Sequence, residues 1–227
     1  MASDQSTSSG DASDQSTLSG DASDQSTLSG DASDQSPLSG AFQFKLSCGV
    51  ALTGFQDTLL AQQGYQLYSK CLIQGATDFI FGQTASAWFE KIDLRVVAAS
   101  VGYITANGRD SDSNMSYYVF NNCNIAAAAG NTVADGAYYL GRPWRQYARV
   151  VFQKTNMTSV INSKGWSIWN TGEENTAHVL FGEYGNTGAG SQGQRASFAT
   201  KLSSAVSIST VLSGNYASKG FYDASYM

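Results

Sequence analysis

Charge is scarce in this chain: only 14 % of its 227 residues are Asp, Glu, Lys or Arg, and there is a single histidine, His178. No run of Lys and Arg stands out, which argues against nucleic acid as a partner. No apolar stretch reaches membrane-spanning length, and the N-terminus lacks the charged and apolar regions of a signal peptide. The three cysteines, Cys48, Cys71 and Cys123, cannot all pair internally and lack metal-site spacing, so they read as buried apolar thiols. With one histidine and no G-x-S-x-G elbow, a Ser-His-Asp triad is disfavoured. Any hydrolysis must run on carboxylates.

What is present divides in two. Residues 1–40 are four copies of a decapeptide, ASDQSTLSGD, starting at Ala2, Ala12, Ala22 and Ala32. Each copy offers at most one large apolar side chain, such as Leu18, Leu28 or Leu38. That is too little burial to offset the entropy of ordering, so residues 1–40 read as a disordered tail. All seven charges of the tail are aspartates, which leaves 11 acidic against 13 basic residues in 41–227, a domain near neutrality.

From Ala41 onward, β-branched and aromatic runs alternate with Gly, Asn and Asp: "QLYSKCLIQG", "AWFEKIDLRVV", "GYITANGR", "SYYVFNNCNI", "AYYLGRPW", "ARVVFQKTNM". These are strands separated by turns, and the fold class is all-β. Only residues 193–206 show apolar positions near helical spacing, and one short helix is expected there. A sandwich, a barrel and a parallel β-helix all give many short strands. Related segments recur here at about one solenoid coil, which favours the β-helix, where residues one coil apart become neighbours at roughly 4.8 Å.

Asp57 in "GFQDTLL" and Asp78 in "QGATDFIFG" are 21 residues apart. A coil of that length brings the two carboxylates together on the outer face of one sheet. Mutual repulsion then keeps one protonated, while a cation holds the other ionised. Arg142 in "YLGRPWRQ" is the candidate cation, able to grip a carboxylate bidentately. Trp144, two residues on and therefore on the same face of a strand, can offer a platform to a sugar ring. Gln56 needs a turn or bulge to reach the same face, where its amide can donate to an oxyanion. On the residues alone, each also has a plain structural reading. The aspartates can cap turns, Arg142 can pair at the surface, Trp144 can be core, and His178 can support the strand it precedes.

"GFQDTLL", "IQGATDFIFG", "YLGRPW", "ITANGR", "GWSIWN" and "FGEYGNTGAGS" resemble, in order, motifs of the pectin methylesterases (pectinesterases), the fungal branch most closely, over residues 48–227. The resemblance implies a right-handed parallel β-helix in residues 41–227, acting without metal or cofactor on pectin (homogalacturonan) as a secreted monomer. It makes Asp78 the nucleophile, Asp57 the acid and then base, Gln56 an oxyanion donor and Arg142 the residue that positions the nucleophile. Trp144, Trp166 and Phe79 would line the substrate cleft.

The family has further coils upstream, with a second oxyanion glutamine, where this chain has the repeats. Gln43 lies too close to Gln56 to take that role. The solenoid is therefore expected to be incomplete at its N-terminal end. A pectin-binding protein without turnover, and a β-helical glycosidase or lyase, remain the other readings.

Overall fold

The computed structural model describes residues 44–219 and 222–227, all within one compact unit, Gly40–Met227. The repeat segment assigned to residues 1–40 lies outside the described residues. The chain winds through successive circuits of short strands. The first carries β1 (Phe44–Cys48), β2 (Ala51–Thr53) and β3 (Leu59–Leu60), and the second β4 (Tyr65–Ser69), β5 (Leu72–Gly75) and β6 (Thr77–Gly82). The third has β7 (Ser86–Glu90), β8 (Asp93–Val96) and β9 (Gly102–Asn107), and the fourth β10 (Tyr117–Asn121), β11 (Asn124–Ala127) and β12 (Tyr138–Pro143). Then follow β13 (Arg149–Gln153), β14 (Asn156–Met157), β15 (Leu180–Tyr184) and β16 (Ala199–Lys201).

Equivalent strands stack in parallel into three sheets, of seven (β1-β4-β7-β10-β13-β15-β16), five (β14-β11-β8-β5-β2) and four strands (β12-β9-β6-β3). This is a parallel β-helix. The strand register advances by 21 residues from β2 to β5 and again from β5 to β8. Later circuits are longer because loops are inserted between strands. The corner between the first and second sheets repeats one backbone conformation. Gly49, Lys70, Lys91, Asn122, Lys154 and Gly185 all have φ between 51° and 63°, so three lysines occupy a left-handed position usually filled by Gly or Asn.

Stacking turns like residues into ladders. Tyr68, Phe89, Phe120 and Phe152 stand in register along the first sheet, and their rings stack inside the solenoid at 4.8, 4.3 and 4.3 Å. Ile73, Leu94, Ile125 and Met157 form the matching buried column of the second sheet. The outward column of the first sheet, Leu67, Trp88, Val119 and Val151, is also buried, because Val211 and Leu212 of a helix α1 (Ile208–Leu212) pack over it. Burial on both faces explains the near-continuous apolar runs of "AWFEK" and "YYVFN".

The helix expected over residues 193–206 is not there. Instead, β16 adds to the open edge of β15, where backbone pairing to a ready-made strand outweighs a weak helical pattern. Ser207 caps α1 by accepting from the Thr210 N–H at 3.2 Å. Cys71 and Cys123 are buried thiols, and burial pushes both upward in pKa.

Candidate active site

The four-stranded sheet positions the acidic residues. Gln56 bridges Thr77, and Leu59 pairs with Ile80, so Asp57 stands opposite Asp78 one strand away. Both aspartates adopt left-handed backbone, φ 55° and 50°, which Asp tolerates better than most residues. At Asp78 the ladder slips. Thr77 pairs with Tyr103 but Ile80 with Thr105, so β6 carries an extra residue. The N–H groups of both Ala76 and Thr77 donate to the Phe55 carbonyl of the preceding circuit, at 2.6 and 3.1 Å. A bulge of this kind re-aims side chains that strict alternation would send inward.

Arg142, on β12, lies two strands from β6 in the same sheet. Its Nε donates to Asp78 Oδ1 at 3.0 Å and its Nη2 to Oδ2 at 2.7 Å. This is the two-pronged geometry that fixes a carboxylate in both charge and orientation. The guanidinium is held in turn. Its carbon sits 4.2 Å from the ring centre of Tyr103 and 4.3 Å from that of Trp169, and Nη1 reaches the Trp169 carbonyl at 3.5 Å. Tyr103 stacks on Tyr139 at 5.7 Å, so the aromatic row continues along the sheet. Asp78 is 7 % exposed, whereas Asp57 and Gln56 are exposed. Partial desolvation, and after it the Asp78 charge, raise the Asp57 carboxyl above its ordinary 3.8. One carboxylate is thus clamped by a cation, and its neighbour holds its proton more tightly than a free aspartate.

Sequence reasoning placed the other residues less well. β12 ends at Pro143, so Trp144 lies beyond the strand and the same-face argument for it lapses; it is half-buried in the turn that follows. Phe79 and Trp166 are core residues, 0 % and 1 % exposed. Trp166 stacks on Phe181 at 4.3 Å and donates its Nε1–H to Glu183. Both rings serve the core, and Trp166 also edges a cavity beside Tyr139 and Lys164. Tyr103 and Trp169, which carry Arg142, were missed. The signal available for them was an aromatic in each of "GYITANGR" and "GWSIWN", but nothing in the spacing singles out either ring. His178 is exposed and stacked on Tyr147 at 4.4 Å. Among the described residues, no group of three His, Cys, Asp or Glu side chains is arranged to hold a metal ion.

Fold and site together define a parallel β-helix protein whose candidate centre is a pair of aspartates served by one arginine. The chain belongs to the pectinesterase family, whose model matches residues 17–223. It is 57 % identical over 179 residues to a pectinesterase of Aspergillus aculeatus and 54 % identical over 176 residues to one of Aspergillus niger. These matches cover 78 % and 77 % of this chain but 54 % and 53 % of the relatives. The chain thus spans about half the length of the curated relatives it matches. Among solved structures, the pectin methylesterase of Aspergillus niger superposes with a TM-score of 0.70 at 41 % identity, over 78 % of this chain and 56 % of that one. The pectin methylesterase from carrot gives 0.61 at 30 % identity, over 68 % and 50 %.

Proposed function

We propose that the chain hydrolyses methyl esters of pectin, with Asp78 as nucleophile and Asp57 as acid and base. The observation that carries this reading is the bidentate Arg142–Asp78 contact beside a second aspartate of raised pKa. An ionised Asp78 oxygen attacks the ester carbonyl carbon of a galacturonate unit. The negative charge that develops on the carbonyl oxygen is met by the Gln56 amide. Asp57 gives its proton to the methoxy oxygen as the carbon–oxygen bond breaks, and methanol leaves. An acyl link joins the uronate to Asp78. Asp57, now ionised, takes a proton from water as that water attacks the same carbon. The link to Asp78 breaks, the uronic acid is freed and gives its remaining proton to solvent, and both aspartates return to their starting states.

The partner in this reading is homogalacturonan, and the place of action is outside the cell, as the family resemblance implies. Arg142 grips and aims Asp78, and the Tyr103 and Trp169 rings keep Arg142 in place. The test is incubation of the full chain with methyl-esterified pectin, measuring methanol and polymer length together. Methanol release at constant chain length supports the reading. Binding without methanol makes the protein a pectin-binding module, and shortened or unsaturated chains make it a glycosidase or lyase.

A further inference from the structure

Two stretches of the chain match the Asn-x-Ser/Thr pattern that accepts an N-linked glycan: Asn114, Met115 and Ser116, and Asn156, Met157 and Thr158. Neither is used in the chemistry above. The structure separates them by what each asparagine amide already does, because attachment of a sugar replaces one of the two hydrogens on Nδ2 and leaves the other. Asn114 has no hydrogen to give up. It is half-buried in the loop after β9, and its Nδ2 donates to the Gln83 carbonyl at 3.1 Å and to Asp110 Oδ1 at 2.9 Å. Its Oδ1 accepts from the N–H of Ser116, a residue that is fully buried. Arg109 and Arg149 donate to the carbonyls of Asp112, Asn114, Met115 and Ser116. A glycan on Asn114 would break one of the two amide bonds and press against a loop that both arginines hold closed.

Asn156 stands on β14, the end strand of the five-stranded sheet, and is exposed. Alternation along the strand buries Met157 in the core and turns Asn156 outward, in register with Asn124 and, one strand further, Asp93. Its Nδ2 donates one hydrogen to Asn124 Oδ1 at 2.9 Å, and Asn124 donates in turn to Asp93 at 3.0 Å. The amide is thus held at the surface by a ladder of polar side chains. Among the described residues no acceptor takes its second hydrogen. Beyond β14 the chain pairs with Asn156 through an isolated bridge at Thr187, itself exposed. The aspartate pair lies on the four-stranded sheet, a different face of the solenoid.

We propose that Asn156 is an N-glycan acceptor, and that Asn114, with the same sequence pattern, carries no glycan in the folded protein. The donor is a lipid-linked oligosaccharide diphosphate. The bond from Nδ2 to the anomeric carbon forms as the bond from that carbon to the diphosphate oxygen breaks. The diphosphate leaves with the electron pair, and one amide proton passes to a base of the transferring enzyme. The remaining N–H still donates to Asn124. That the chain meets such a donor rests on the extracellular reading above; the difference between the two asparagines does not.

The experiment makes the full chain in a fungal host behind a secretory leader and takes the folded protein from the medium, or from the secretory membranes where it is not exported. An amidase that releases N-glycans, used in heavy-oxygen water, turns each formerly glycosylated asparagine into a labelled aspartate, and peptide mass spectrometry assigns the label. The label is expected at Asn156 in most copies and absent at Asn114. Asn156→Gln and Thr158→Ala should each lower the mass of the intact chain by the whole glycan, because the first removes the acceptor nitrogen and the second the hydroxyl of the pattern. An unlabelled Asn156, a labelled Asn114 in the folded protein, or a glycan that survives Thr158→Ala would each overturn the inference. Methanol release is read separately on the same preparation. Methanol with a bare Asn156 removes the acceptor and leaves the esterase reading standing, and a glycan at Asn156 without methanol does the reverse.

Discussion

Replacing Arg142 by alanine removes the cation from a carboxylate that has little access to water. The two side chains of this pair are 17 % and 10 % exposed. Breaking a buried pair by deleting one partner costs about 3–5 kcal/mol, and the residual exposure here puts the expected loss near the lower end, at about 3 kcal/mol. Loss of the guanidinium from between the Tyr103 and Trp169 rings adds about 1 kcal/mol. Asp78→Asn keeps the shape and leaves the guanidinium stacked, so its cost is smaller, about 2 kcal/mol. The double variant leaves no unpaired charge. Its cost should fall short of the sum of the singles by about 2 kcal/mol. Urea unfolding of the four chains, followed by far-UV circular dichroism, measures all of this. Additivity within about 0.5 kcal/mol would refute the clamp.

Three further outcomes follow from the same geometry. Because the Asp57 pKa is raised by desolvation and by Asp78, the protonated donor persists above 3.8 and is lost as pH rises. Methanol release should decline on that alkaline side, and Asp57→Asn should abolish the limb along with most of the rate. Phe89→Ala removes a fully buried ring that stacks on Tyr68 and Phe120 and should cost about 3–5 kcal/mol in urea unfolding. Gly82→Ala should cost at least about 2 kcal/mol, since φ is +143° and a Cβ would lie 2.0 Å from the Ala61 carbonyl oxygen; an unchanged melt would show that the backbone there relaxes freely.

The spacing of Asp57 and Asp78 was legible because it equals one circuit of the solenoid where no loop intervenes. The register of β2, β5 and β8 repeats at the same 21 residues. Arg142 was legible as the charge suited to a carboxylate, but its two aromatic neighbours were not. Tyr103 and Trp169 reach it from circuits whose lengths vary with inserted loops, and no fixed period predicts which rings meet. Phe79 and Trp166 show the converse difficulty. An aromatic beside a candidate acid reads equally as cleft or core, and here alternation through the bulge sends Asp78 outward while Phe79 is buried. The left-handed lysines at the sheet corner were invisible for a different reason. Lys70, Lys91 and Lys154 hold a strained backbone because each is bracketed by strands already locked in parallel register, and local propensity yields to that tertiary constraint.

The nucleophilic role of Asp78 is tested most directly by the rate of methanol release from methyl-esterified pectin by Asp78→Asn, set against the parent chain under conditions where both remain folded. The amide occupies the same space but offers no carboxylate to attack the ester. A fall of about a thousandfold or more, with pectin binding retained, is the predicted result. Release within tenfold of the parent rate would contradict the assignment of Asp78 as nucleophile.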